Sequence, residues 1–187
     1  MSSDTASETV IDLLIDQHNQ IKKLFALVVE ATGDQRTELF YDLVRLLAIH
    51  ESAEEQIVHP MARRKIDDGE PIVGARLDEE DQAKRALSDL YDLGPDHPEF
   101  DQRLRALFDD VLIHATAEEE QEFPQLQASV SHDELVRMAT AVRRAESMAP
   151  TRPHPAAGDS ATANRLAGPP LAVFDRVRDA MRAHSHH

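Results

Sequence analysis

The chain has 187 residues, a mass of 20.9 kDa and a formal net charge of −15, from 35 acidic residues against 20 lysines and arginines. That length fits one domain with an appended tail, and the charge argues against nucleic acid and anionic membrane surfaces as partners. There is no cysteine, which excludes disulfides, zinc–thiolate sites, iron–sulfur clusters and thiol catalysis.

The mean hydropathy is −0.46, and no apolar run approaches the roughly 20 residues of a membrane span. The first ten residues are polar and acidic and carry no secretory apolar core, so a cytoplasmic protein is expected. Few aromatics, no Trp and six Gly, in a chain rich in Ala, Leu, Glu, Asp and Arg, favour helices over strands. Of the ten histidines, His154, His184, His186 and His187 lie in the tail.

The apolar period stays close to 3.6. A first helix is expected over about residues 8–31, with Ile11, Leu14, Ile15, His18, Ile21, Phe25 and Val28 on one stripe. Gly33 reads as its stop and Asp34 as the next N-cap. A second helix follows over about 35–65, with the stripe Phe40, Leu43, Leu47, His50, Glu54, Ile57 and Met61, and Pro60 as a point of kinking. Residues 67–71 read as a turn. A third helix over about 72–93 carries Leu77, Glu80, Ala83, Leu87 and Leu90 on one face. After the loop 94–98, a fourth over about 99–128 carries Leu104, Leu107, Val111, His114 and Glu118. Ser131 and Glu134 form a capping-box pattern that opens a fifth, shorter helix over about 132–148. The Pro, Ala and Gly content of 149–170 marks a linker or wrap, and a last short amphipathic helix is expected over about 171–183, with Leu171, Phe174, Val177 and Met181 on one face. The short connections favour an all-α, antiparallel up-down four-helix bundle over residues 1–130. An additional packing helix at 131–148 and a tail at 149–187 complete the expected organisation.

The second and fourth helices share a phrase, H-x-x-x-E-E-x-x-x-x-P, at His50–Pro60 and His114–Pro124. In each, the His and the first Glu are one turn apart and project from the apolar face. Burying ionised carboxylates without a partner costs several kcal/mol, and no Lys or Arg lies on those two stripes. A bound cation would supply the missing charge. His18 and Glu80 place one further ligand-type group on the inward face of each remaining helix. Imidazole and carboxylate without thiolate suit iron, manganese or zinc alike. Glu119, Glu120, Glu122, Asp78, Glu79 and Asp81 read as solvated helix faces. Glu51 follows a ligand-type histidine but points about 100° away around the helix, and Tyr41 and Tyr91 are phenols that the pattern does not require. Ferritin-like Glu-x-x-His pairs and the protease phrase His-Glu-x-x-His are both absent.

The segments DQHNQIKKLF, HESAEEQIVHP, DEEDQAKRALSDL and HATAEEEQEFP resemble those of hemerythrin-like, HHE-type cation-binding domains, over about residues 8–128. The resemblance implies a four-helix bundle holding two iron ions. His18, His50 and His114 would be terminal ligands, Glu54 and Glu118 would bridge, and a solvent-derived oxo or hydroxo group would complete the bridge. The departure is in the third helix, which has no histidine. Glu80 stands where the family places one, with Glu79 as the alternative if the register differs by one. Arg76 stands where oxygen carriers have a second histidine.

A site of three His and three Glu is richer in anionic oxygen than an oxygen carrier's, and anionic ligands favour ferric iron. The expected function is therefore a non-haem di-iron oxidoreductase acting on a small oxidant, hydrogen peroxide or nitric oxide. The alternative is a carrier or sensor of oxygen, nitric oxide or iron without turnover. A monomer or homodimer is expected.

Overall fold

The computed structural model describes residues 7–148, and the tail expected at 149–187 lies outside them. Helix α1, Val10–Glu30, starts at a capping box. The Thr9 hydroxyl accepts from the Asp12 N–H at 3.2 Å, and the Asp12 carboxylate accepts from the Thr9 N–H at 3.0 Å. Helix α2, Gly33–Ala53, runs through a π-helical turn, Glu54–Val58, into α3, His59–Lys65. Helix α4 is Gly69–Leu93. Helix α5, Phe100–Ala117, repeats the device: a π-turn at Glu118–Glu122 leads into α6, Phe123–Ser129. Helix α7 is His132–Met148, and the Ser131 hydroxyl accepts from the Glu134 N–H at 3.4 Å.

Two boundaries differ from expectation. Gly33 is not a stop: it begins α2 with φ of +58°, and Thr32, not Asp34, is the N-cap residue. Helix α4 starts at Gly69 instead of Ile72, after Asp68 in the left-handed region at φ 54°. Pro71 sits in the first turn, where a missing N–H costs nothing.

The four rods α1, α2–α3, α4 and α5–α6 form the bundle, and α7 packs on α1 outside it. The core is aliphatic and phenylalanine-rich, with Leu13, Leu14, Ile21, Phe25, Phe40, Leu87, Leu90, Phe100, Leu104 and Phe123 fully buried. Among the described residues no helix is long and apolar enough to cross a membrane.

The π-turns explain where the inward face goes after each Glu. In each, the backbone N–H five residues on (His59, Phe123) bonds back to the Glu54 or Glu118 carbonyl. One extra residue enters the turn, so the buried face moves by one position. Past Glu54 it comprises Val58, His59 and Ala62, while Ile57 and Met61 are only half-buried. Pro60 and Pro124 follow at once, and their missing N–H falls where the ladder has already shifted register.

Candidate metal centre

His18, His50, Glu54, Glu80, His114 and Glu118 converge in the middle of the bundle, all buried. They form two groups that share a carboxylate. Ligand atoms of His18, His50, Glu54 and Glu118 lie within 4.8 Å of one another, as do those of Glu54, Glu80 and His114. The two central carboxylates each face both ways. Glu54 turns Oε1 to His50 Nε2 at 3.4 Å and Oε2 to His114 Nε2 at 4.0 Å. Glu118 turns Oε2 to His18 Nε2 at 3.3 Å and Oε1 to His114 Nε2 at 3.4 Å. The arrangement offers two groups that could each hold a cation, one with His18 and His50 and the other with His114 and Glu80, and Glu54 belongs to both.

Each histidine is oriented through its other nitrogen. Nδ1 of His18 meets Glu119 Oε1 at 2.8 Å, that of His50 meets Gln17 Oε1 at 2.8 Å, and that of His114 meets Glu79 Oε2 at 3.0 Å. An acceptor at Nδ1 fixes the tautomer and leaves Nε2 as the inward lone pair. Glu79 and Glu119 are thus half-buried partners of ligand-type histidines, not solvated charges. Gln17 in turn donates to Glu146 of α7, so the outer helix reaches the centre through one amide.

The donor set passes a physical test for cations. Both oxygens of Glu54, both of Glu118, Glu80 Oε2, His18 Nε2 and His114 Nε2 are buried without a hydrogen-bond partner. Unsatisfied buried polar atoms are rare and costly, and these seven belong to groups that face one another; among the described residues Glu51, Arg76, Glu122, Ser52 and Arg36 carry others. The acids and imidazoles also shift one another: burial would lower His114, but Glu118 prevails and raises it well above its usual value. Burial, then Glu118, pushes the Glu54 carboxyl well above its usual range. Burial opposes ionisation of Glu118 too, but His114 outweighs it and holds that carboxyl well below its usual range. Burial and the neighbouring His18 keep His50 neutral, as a metal ligand must be.

The two halves of the bundle are a duplication that extends beyond the repeated phrase. Asp16-Gln17-His18-x-Gln20-x-Lys22-Lys23 in α1 matches Asp78-Glu79-Glu80-x-Gln82-x-Lys84-Arg85 in α4. Equivalent residues do equivalent work: Gln17 and Glu79 hold the two helix-borne histidines, and His18 and Glu80 are the ligand-type groups. Where Glu80 replaces a histidine, Lys84 changes with it. Lys22 is one-third exposed and lies 3.7 Å from Glu119, whereas Lys84 is buried and pairs with Glu55, with Glu51 at 3.4 Å and with Glu80 at 3.5 Å. Burial would lower the Lys84 pKa, but Glu51 and its other acidic neighbours raise it instead. Helix α4 thus supplies a buried cation to Glu51, Glu55 and its own Glu80. Arg76, buried and bonded to Glu79 at 3.0 Å, adds a second positive charge there.

Glu51 is buried beside Lys84, and burial and Glu80 raise its carboxyl to about 8. It lines a cavity of about 20 Å³ with His18, His50, Glu80 and His114, which reaches outward to exposed Asp110. Such a space holds about one water-sized molecule. Tyr41 and Tyr91 pack against each other at 5.6 Å, and neither is a member of the two ligand groups.

Two buried groups at the centre were not read from the sequence as part of it. His59 joins Glu80, Nε2 to Oε1 at 2.7 Å, and Glu122, Nδ1 to Oε1 at 3.2 Å. Glu122 is fully buried, which corrects its reading as a solvated charge. Burial disfavours a charged His59, but its hydrogen bonds to Glu122 and Glu80 prevail and raise it to about 10. His59 falls off an ideal helical stripe and reaches the core through the π-turn, whereas Glu122 keeps the four-residue step from Glu118. A histidine immediately before a proline inside an apolar phrase was the available signal.

Comparison with known proteins agrees with this picture. The family described as the hemerythrin HHE cation-binding domain matches residues 9–126. A DNA nickase of Nostoc is 28% identical over 146 residues, which are 78% of this chain but 41% of that protein. An uncharacterized hemerythrin-like protein of Schizosaccharomyces pombe is 24% identical over 174 residues, 92% of this chain and 86% of its own. A crystal structure of a hemerythrin HHE cation-binding-domain protein from Mycobacterium kansasii superposes with a TM-score of 0.70 at 20% identity, covering 91% of this chain and 99% of that one. The last likeness is one of fold.

Proposed function

Because the chain belongs to the hemerythrin HHE cation-binding family, we propose that its cations are two iron ions and that it is an oxidoreductase for small oxidants, hydrogen peroxide or nitric oxide. The observation that carries this reading is the pair of carboxylates, Glu54 and Glu118, each offering both oxygens to opposite histidines with no other partner. His18 and His50 would hold one iron, His114 and Glu80 the other, with an oxo or hydroxo group completing the bridge. A bound pair of irons supplies Lewis acidity and a two-electron redox couple.

The chain's own residues do the rest. Gln17, Glu79 and Glu119 hold the imidazoles in one tautomer. Ile21, Leu47, Ala83 and Val111 line the cavity with apolar surface and limit water. The cavity's size suits a molecule about as small as water. Glu51, poised by burial near neutral pH, stands beside that space with Lys84 and can take or return a proton at its carboxylate. Three anionic ligands favour the ferric state and hence turnover over reversible carriage.

Nucleic acid is not proposed as a partner. The net charge of −15 opposes it, and the chain spans 41% of the nickase it resembles.

The test is peroxide consumption by the iron-loaded chain, set against a His50→Ala, Glu54→Ala double variant. Loss of activity in the variant is expected. Equal rates in the two proteins would contradict the proposal, and a stable ligand spectrum without turnover would make the protein a carrier.

A further inference from the structure

We propose that His59 is the positioning residue of the second metal position: it holds Glu80 by one oxygen so that the other is the single ligand atom. The inference rests on the di-metal reading above. Glu80 Oε1 is engaged by His59 Nε2 at 2.7 Å, while Oε2 is buried without a hydrogen-bond partner, its near cation being Lys84 Nζ at 3.5 Å. A free carboxylate can rotate or chelate through both oxygens. One fixed by an N–H donor offers a defined lone pair, as an imidazole does.

The duplication supplies the control within the same molecule. The residue equivalent to His59 is Phe123, and the group equivalent to Glu80 is His18. The Phe123 ring stacks on the His18 ring at 5.9 Å and 12°. His18 already has its outer nitrogen held by Glu119, so it needs only an apolar support. Glu80 has an outer oxygen to satisfy, and at that one place the apolar ring is exchanged for an imidazole. A second exchange accompanies it. Glu122, which holds the far edge of the His59 ring at 3.2 Å, is the equivalent of Val58 in the other half. His59 is 1% exposed and Glu122 is 0% exposed, so neither owes its place to solvent. Residue type thus changes in step with the ligand that each position supports.

The experiment uses the full chain as wild type, H59Q, H59N and H59F, each stripped of metal and titrated with ferrous iron. Uptake is followed by chelator competition, and the loaded proteins by Mössbauer spectroscopy. A glutamine amide reaches the place of Nε2 and can still donate to Glu80, whereas the shorter asparagine and the phenylalanine cannot. H59Q is expected to take up two irons with a near-native spectrum. H59N and H59F are expected to bind the second iron about 10–100-fold more weakly, with one of the two iron signals altered. H59N and H59Q are both small polar replacements, so the comparison stands even if H59F fails to fold. Two irons in H59N with native affinity and spectrum would overturn the inference and leave the di-iron reading intact. A wild-type chain that takes up no iron would overturn both.

Discussion

Three histidines from three rods point Nε2 at the same space because each has an acceptor at Nδ1, carried by a helix other than its own. The acceptor is therefore part of the centre's affinity. Glu79→Ala is expected to weaken iron binding about 10–100-fold, while Asp81→Ala, at an exposed position on the same helix, leaves it unchanged. Chelator competition on the two variants measures the difference, and equal affinities would contradict the role given to Glu79. The ligand-type residues were legible in the sequence because His50 with Glu54, and His114 with Glu118, keep a four-residue step on a clean apolar stripe. Their orienting partners were not. Gln17, Glu79 and Glu119 sit at stripe edges, where sequence shows a polar residue but not the rod across from it.

At the level of elements, the rods were legible from the apolar period and their ends less so. Thr9 and Asp12 fix the start of α1, and the Asp12 carboxyl is held below its usual value chiefly by its hydrogen bond from the Thr9 side chain. A lowered pKa means that the folded chain favours the ionised form. The contribution is present above the unfolded value near pH 4 and is lost as pH falls through the folded one. Asp12→Ala is expected to cost about 1 kcal/mol at pH 7. Denaturant melts of wild type and variant should draw together as pH falls through the lowered titration of Asp12, and a difference independent of pH would contradict the assignment. The turn before α4 makes a second prediction. A Cβ at Gly69 would lie 2.6 Å from the Ala62 carbonyl oxygen, so Gly69→Ala forces backbone apart and is expected to cost about 1–3 kcal/mol. Unchanged denaturation midpoints would show that α3 and α4 can separate there freely. The π-turns are the element that sequence concealed. No residue type announces one, and each shifts the buried face by a single position, which is why His59 stood outside the expected core; Glu122, four residues past Glu118, was concealed instead by the run of acids around it.

Over the whole molecule, the organising fact is a duplicated helix pair whose two halves face each other across the cluster. Equivalent residues fill equivalent places until the third long helix, where one ligand-type histidine becomes Glu80. The neighbours then change together: Lys84 is buried where Lys22 is partly exposed, and His59 stands where the other half has Phe123. The match of α1 with α4 was present in the sequence as DQHNQIKK and DEEDQAKR, but the ligand substitution at its centre masks it. Outside the duplication, α7 is linked to the centre through Glu146 and Gln17. The central claim is that two cations lie between the facing acids. Iron titration of the metal-stripped chain, read by optical absorption, tests it most directly. Saturation at two irons per chain, with oxo-to-iron charge-transfer bands on oxidation, is the predicted result. Uptake of no iron, or saturation at one with no such bands, would contradict it.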